Sequence, residues 1–89
     1  MPTVRLLIKG KVQGVFYRAS AKEIACNIGI TGWINNTTDG DVESLITGTE
    51  TQIQEFISWC RRGPKRAMVT GITITEEASE SFSEFLVIR

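Results

Sequence analysis

Histidine is absent from the 89-residue sequence. That absence removes Ser–His and Cys–His nucleophile pairs, a His general base and any metal site built on imidazole. Cysteine occurs only twice, as Cys26 and Cys60. Two are too few for a disulfide scaffold, and the C-x-x-C spacing of a metal site is missing. Both lie on or beside apolar helix faces, so the expectation is buried, inert thiols. Net charge is also lacking, because ten Lys and Arg offset ten Asp and Glu. That balance argues against nucleic-acid binding, which normally shows a basic surplus. No apolar run approaches the ~20 residues of a membrane span, and Met1 to Lys9 alternates where a signal peptide would be continuously apolar. A cytoplasmic protein with reduced thiols is expected.

What remains is 42% hydrophobic and 22% charged, the composition of a globular chain, read as one domain over residues 1–89. A chain this short buries only somewhat more than about 60% of its unfolded surface, which limits it to one two-layer core. Val4, Leu6 and Ile8 alternate with Arg5, Leu7 and Lys9, predicting a strand that ends near Lys11 or Val12. Ala21, Ile24, Ala25 and Ile28 form one helical face, closed by Gly29. Ser20 and Glu23 have capping-box spacing, though a helix starting near Arg18 fits as well. Thr31–Thr38 reads as a second strand, Asp39-Gly40 as a tight reversal and Val42–Thr47 as a third strand. Thr49 and Gln52 make a capping box for a second helix, whose apolar face is Ile53, Phe56, Ile57 and Cys60. Arg61 and Arg62 suit its last turn, and Gly63-Pro64 stops it. Met68–Thr75 and Phe82–Ile88 read as further strands. The order is β-α-β-β-α-β with a short additional strand. The predicted fold is α+β, a ferredoxin-like split β-α-β sandwich with two helices on one face of an antiparallel sheet.

Two places could carry chemistry. Gln13-Gly14-Val15-Phe16-Tyr17-Arg18 joins a strand to a helix start, where successive backbone N–H groups can form an anion-binding concavity. Arg18 then supplies a guanidinium fork that matches phosphate oxygens in pairs. The plain alternative is a tight turn whose glycine relieves backbone strain, and the spacing is not that of a nucleotide P-loop. Asn36 shares a strand face with Ile34, so it faces the helix layer if Ile34 does. A turn-stabilising role ahead of Asp39-Gly40 is the alternative there. Asp39, Asp41 and Glu43 cluster near a hairpin but lack a calcium-loop pattern. Trp59 flanks the core face of the second helix, and Trp33 is expected on the outer face of the sheet.

With these segments in view, the sequence resembles the acylphosphatase family. Gly10-Lys11-Val12-Gln13-Gly14-Val15-Phe16-Tyr17-Arg18 is similar to the family signature G-x-V-Q-G-V-x-[FMY]-R. Gly32-Trp33-Ile34-Asn35-Asn36, continuing through Gly40 and Val42, resembles the second signature, with Ile34 in place of the commoner valine. The Gly63-Pro64 join and the last strand resemble the family too. The resemblance implies the same ferredoxin-like fold and the hydrolysis of acyl phosphates to a carboxylate and inorganic phosphate. It implies that Arg18 and the amides of Gln13, Gly14, Val15, Phe16, Tyr17 and Arg18 hold the phosphoryl group. It further implies that Asn36 orients the attacking water. No cofactor and no metal are expected. The expected partners are a small-molecule acyl phosphate and inorganic phosphate as product and competitive inhibitor, with no nucleic acid and no membrane, in a monomer.

This chemistry accounts for the missing histidine. The leaving carboxylate has a conjugate acid with pKa about 4.3, so it departs without a general acid. The phosphoryl transition state is loose, and a strong base gains little. Three other readings use the same residues. A binding module could hold phosphorylated metabolites without turning them over. An RNA-recognition domain shares the fold class, but its aromatic motif belongs on the third strand. A fragment of a larger carbamoyl-transfer protein of hydrogenase maturation is disfavoured by the terminal strand that completes the pattern.

Overall fold

The computed structural model describes residues 1–88. Five strands and two helices follow one another as β1 (Thr3–Lys11), α1 (Tyr17–Ile28), β2 (Thr31–Asn36), β3 (Val42–Thr47), α2 (Glu50–Arg62), β4 (Met68–Glu77) and β5 (Phe85–Val87). The strand order is β4-β1-β3-β2-β5. The ferredoxin-like order read from the sequence is present. One feature differs from the antiparallel expectation: β5 runs parallel to β2, pairing Phe85 with Gly32 and Val87 with Ile34, so the sheet is mixed. No helix among the described residues is long and apolar enough to cross a membrane.

Alternation in β1 sends Val4, Leu6 and Ile8 to the helix-covered face, where they meet Ile34, Val42, Ile46, Phe56 and Cys60 in one core. Ala21 and Ala25 are fully buried on α1; their small side chains let that helix lie close to the sheet. Ser44, a polar residue facing the core beside Leu6, donates its hydroxyl to the Trp33 carbonyl at 2.7 Å. That bond removes the cost of burying it. On the other face Arg5 pairs with Glu43 at 2.7 Å and Glu77 at 3.5 Å, and its guanidinium lies 5.9 Å from the Trp33 ring centre. Trp33 therefore sits on the outer face, half-buried, as its register requires.

Several boundaries move for identifiable reasons. β2 stops at Asn36, two residues short of the predicted end. The Thr37 amide bonds the Asp41 carbonyl at 2.9 Å and the Thr37 hydroxyl accepts from the Asp41 amide at 3.0 Å, which makes 37–41 a closed turn. β4 extends to Glu77 because the start of β1 is there to pair with it, Thr3 opposite Glu77. The final strand shortens from Phe82–Ile88 to three residues, since the preceding segment is held by the Thr3 and Thr47 hydroxyls at Glu80. The Ser20–Glu23 capping box does not form. α1 begins earlier, with Ser20 already donating to the Phe16 carbonyl at 3.1 Å. The Thr49–Gln52 capping box on α2 is present in both directions, at 3.1 and 2.8 Å.

Cys60 is buried, as expected, but Cys26 is exposed. Ile24, Ala25 and Ile28 occupy the inward arc of α1, and position 26 falls one step beyond it. Burial pushes the Cys60 thiol up to about 12 from an ordinary 9.0. Burial likewise raises the Tyr17 phenol, whose hydroxyl donates to the Cys60 carbonyl at 2.7 Å. Both groups hold their protons more tightly when folded. Stability is therefore full below pH 9 and falls as pH rises through the unfolded pKa values toward 12. Unfolding free energies from urea denaturation at pH 8 to 11 should decline by about 1.4 kcal/mol per pH unit for each group once it ionises in the unfolded chain. A flat profile in that range would show that neither proton is held by burial.

Candidate active site

The connection from β1 to α1 is built from two left-handed residues. Gly14 has φ +72° and Phe16 has φ 62°. Glycine adopts this conformation freely, whereas an aromatic residue there is strained by roughly 1–2 kcal/mol. Phe16 is the only non-glycine residue with positive φ among those described, and it is 74% exposed. A large exposed side chain in a costly backbone state marks the loop as shaped for something other than packing. Space is not what requires glycine at position 14, because a Cβ there would meet nothing within 4 Å. The backbone conformation requires it, and the space above its backbone stays open.

Alternating hands of this kind aim successive N–H groups to one side. Among the described residues, no backbone N–H from Gln13 to Ala19 donates to a protein acceptor; the first amide of this stretch to do so belongs to Ser20. Three of those groups belong to the first turn of α1, whose N-terminus has no side-chain cap. A helix start leaves such donors free, and its dipole favours an anion beside them.

Three fastenings hold the loop. Val12 and Val15 are buried in the core on either side of Gly14. Tyr17 is buried, bonded to the Cys60 carbonyl and packed on Trp59 with ring centres 5.3 Å apart. Gly63 passes so near this ring that a Cβ would lie 2.9 Å from it. The Gln13 side chain crosses to the β2–β3 turn, donating to the Thr37 carbonyl at 2.9 Å and the Asp41 carbonyl at 2.8 Å. One amide thus locks the loop to the strand exit that carries Asn36.

A cavity of about 690 Å³ opens over this arrangement. Gln13, Gly14, Phe16, Tyr17, Arg18 and Asn36 all line it, with Val87 and Ala19 forming part of its wall. Of the six residues expected to offer amides, Val15 alone is not in the lining, because its side chain is turned into the core. Arg18 is half-buried, and its Nη1 donates to the Ile88 carbonyl at 3.0 Å. Ile88 is in turn tied to β2, its amide donating to the Ile34 carbonyl at 2.9 Å. Asn36 shares the inner face with Ile34, and its Oδ1 is buried without a hydrogen-bond partner among the described residues. Such an acceptor costs about 1–3 kcal/mol unless solvent or ligand supplies a donor.

The three acidic residues of the hairpin region do not act together. Glu43 lies on the outer sheet face against Arg5, away from Asp39 in the turn. No group of three or more Cys, Asp or Glu that could hold a metal ion converges among the described residues.

The sequence and the fold also match known proteins. A family model described as acylphosphatase matches residues 4–87. The chain belongs to the acylphosphatase family. It is 46% identical to an acylphosphatase of Methylococcus capsulatus over 100% of this chain and 98% of the relative. It is 47% identical to an acylphosphatase of Bordetella parapertussis, covering 94% and 85% of the two chains. The crystal structure of an acylphosphatase from Bacillus subtilis superposes with a TM-score of 0.96 at 32% identity, covering both chains completely.

Two contributions to this acylphosphatase-family site were not assigned from the sequence, where Gln13 was expected for its backbone amide alone. The Ile88 carbonyl holds Arg18, and any residue would supply the same carbonyl. The Gln13 side chain acts across 24 residues to reach Thr37, a distance that only folding closes. Gln13→Leu should lower stability by about 1–2 kcal/mol in urea denaturation, since two carbonyls lose a donor. It should also speed amide exchange at Thr37 and Asp41. Unchanged exchange there would mean that the loop and hairpin are held together by other contacts.

Proposed function

We propose that this protein is an acylphosphatase that hydrolyses the carboxyl–phosphate anhydride of small acyl phosphates, without a metal ion. One observation carries the reading. Loop amides and an Asn36 Oδ1 that find no partner among the described residues share one cavity with Arg18. Family membership and the names of its relatives support the same activity.

In this reading the phosphoryl group lies over the Gln13–Arg18 backbone, its oxygens accepting from the amides and from the Arg18 fork. At ~4 Å and an effective dielectric of about 20, the Arg18–phosphate attraction is on the order of 4 kcal/mol before desolvation. The Ile88 carbonyl restrains the guanidinium in advance, which lowers the entropy lost when substrate arrives. Asn36 accepts a hydrogen bond from the attacking water and aims its oxygen at phosphorus. The new P–O bond forms as the bond to the acyl oxygen breaks, and the carboxylate leaves with the electron pair. A phosphate oxygen takes the water's proton. Positioning and charge stabilisation supply the catalysis, so the chemistry needs neither histidine nor metal.

Inorganic phosphate, sharing the phosphoryl contacts, acts as product and competitive inhibitor. One chain supplies every group named, so a monomer suffices. Free Cys26 at the surface fits a reducing cytoplasm. A phosphate-binding module of the same fold would have no use for the buried Asn36 acceptor, and turnover separates the two readings.

Release of phosphate from benzoyl phosphate, with chelator present, should proceed while an ordinary phosphate monoester stays intact. Arg18→Ala should raise KM and the inhibition constant of inorganic phosphate and also lower kcat. Full activity in that variant would remove Arg18 from the mechanism. Asn36→Ala should keep its affinity for inorganic phosphate and lose about 10²-fold in kcat, the usual effect of deleting one positioned polar group. Loss of phosphate inhibition at an unchanged rate would reverse the two assignments.

A further inference from the structure

The chain carries no net charge, yet the fold sorts its charges. β1 leaves the sheet through Lys9 and Lys11, and Arg18 stands in the first turn of α1. α2 ends at the same end of the molecule with Arg61 and Arg62, and the turn into β4 adds Lys65 and Arg66. The packing enforces this proximity. Lys11 pairs with Met68, and the Gly63 backbone lies against the Tyr17 ring, so the segment after α2 borders the cavity loop. Among the described residues, the side chains that oppose these cations at that end are Asp39 and Asp41.

The opposite end is acidic. Glu50 opens α2, Glu76 and Glu77 close β4, Glu80 lies against Thr3, and Glu84 precedes β5 beside Gly32. Arg5 and the amino terminus at Met1 answer them, and the ion pairs found among the described residues are both those of Arg5. Among the described residues the cations around the cavity form no ion pair, and Lys11, Arg61, Arg62, Lys65 and Arg66 are exposed.

A phosphoryl dianion brings two negative charges, and the loop amides with Arg18 already meet it. The positive excess at the rim goes beyond that need. We propose that this rim draws acyl phosphates toward the cavity and selects those whose acyl arm carries further negative charge, such as a carboxylate. The inference rests on the acyl-phosphate reading above. Its physical basis is a field of one sign spread over one end of a molecule 23 Å across. Such a field acts over a Debye length of about 8 Å at physiological salt, and it raises both local ligand concentration and association rate. Attraction scales with ligand charge, so each added anionic group multiplies the gain.

The test compares acetyl phosphate with succinyl phosphate, which adds one carboxylate. Lys65→Glu/Arg66→Glu changes two exposed residues outside the cavity lining. At low ionic strength kcat/KM should fall roughly 3-fold for acetyl phosphate and ~10-fold for succinyl phosphate, with kcat unchanged. At 1 M salt, where the Debye length is about 3 Å, the difference between the substrates should vanish. Lys65→Gln/Arg66→Gln should give an intermediate loss, and circular dichroism would verify that both variants fold. Equal losses for the two substrates, or none, overturn the proposal. Binding of inorganic phosphate, followed by titration, reads the same field without chemistry. Weakened binding in the variant, combined with no turnover of either substrate by the parent protein, would refute the acyl-phosphate class and leave an anion-collecting surface. Turnover of both at a ratio unchanged by charge reversal refutes the rim alone.

Discussion

The constraint on which the structure depends is a row of backbone amides that the fold declines to pair. Among the described residues no backbone N–H from Gln13 to Ala19 finds a protein acceptor, so this run depends on solvent or ligand for its hydrogen bonds. The loop can hold it only because its neighbours are fixed. Val12 and Val15 are sunk in the core, Tyr17 is clamped under the end of α2, and Gln13 reaches the hairpin. Left-handed backbone at Gly14 and Phe16 then lets the chain reverse while its donors face the open side. Stability supplied by the core is drawn on at this one place, and the result is a concavity whose donors face the open side.

The remainder of the site is organised around that row. β2 delivers Asn36 on the inner face because Ile34 must be buried two residues earlier. β5, though only three residues long, runs parallel beside β2 and ends where the Ile88 carbonyl can hold Arg18. A strand added to the edge of the sheet thereby determines where the guanidinium lies. The absence of histidine fits this economy, since a carboxylate leaving group needs no proton and a loose transition state asks little of a base. Charges that cancel in the composition are separated by the topology, with cations gathered round the cavity and glutamates at the far end.

Much of this was legible in the residues themselves, and unevenly so. α2 could be bounded at both ends because each end is set locally, Thr49 with Gln52 three residues on at the start and Gly63 with the Trp59 carbonyl four residues back at the finish. The start of α1 was ambiguous because no side chain caps it. Its first donors are left open, and the Ser20–Glu23 pattern imitates a cap that the helix has already passed. Cys26 was expected inside because it adjoins an apolar arc, but adjacency on a helix is 100° of rotation and here that is enough to reach solvent. The last strand was overestimated because its seven-residue pattern cannot show that Glu80 is anchored to Thr3 and Thr47.

By itself, then, the sequence determined the order of elements, the inward face of each, and the two segments in which Arg18 and Asn36 sit, because periodicity, caps and turn residues are local properties. Only the tertiary structure decided that, among the described residues, the amides and the buried Asn36 Oδ1 find no partner, and that Gln13 and the Ile88 carbonyl brace the loop and the arginine. Those are relations between residues far apart in the chain. Their energies exist only when loop closure has brought the partners within hydrogen-bonding distance, so no local pattern encodes them.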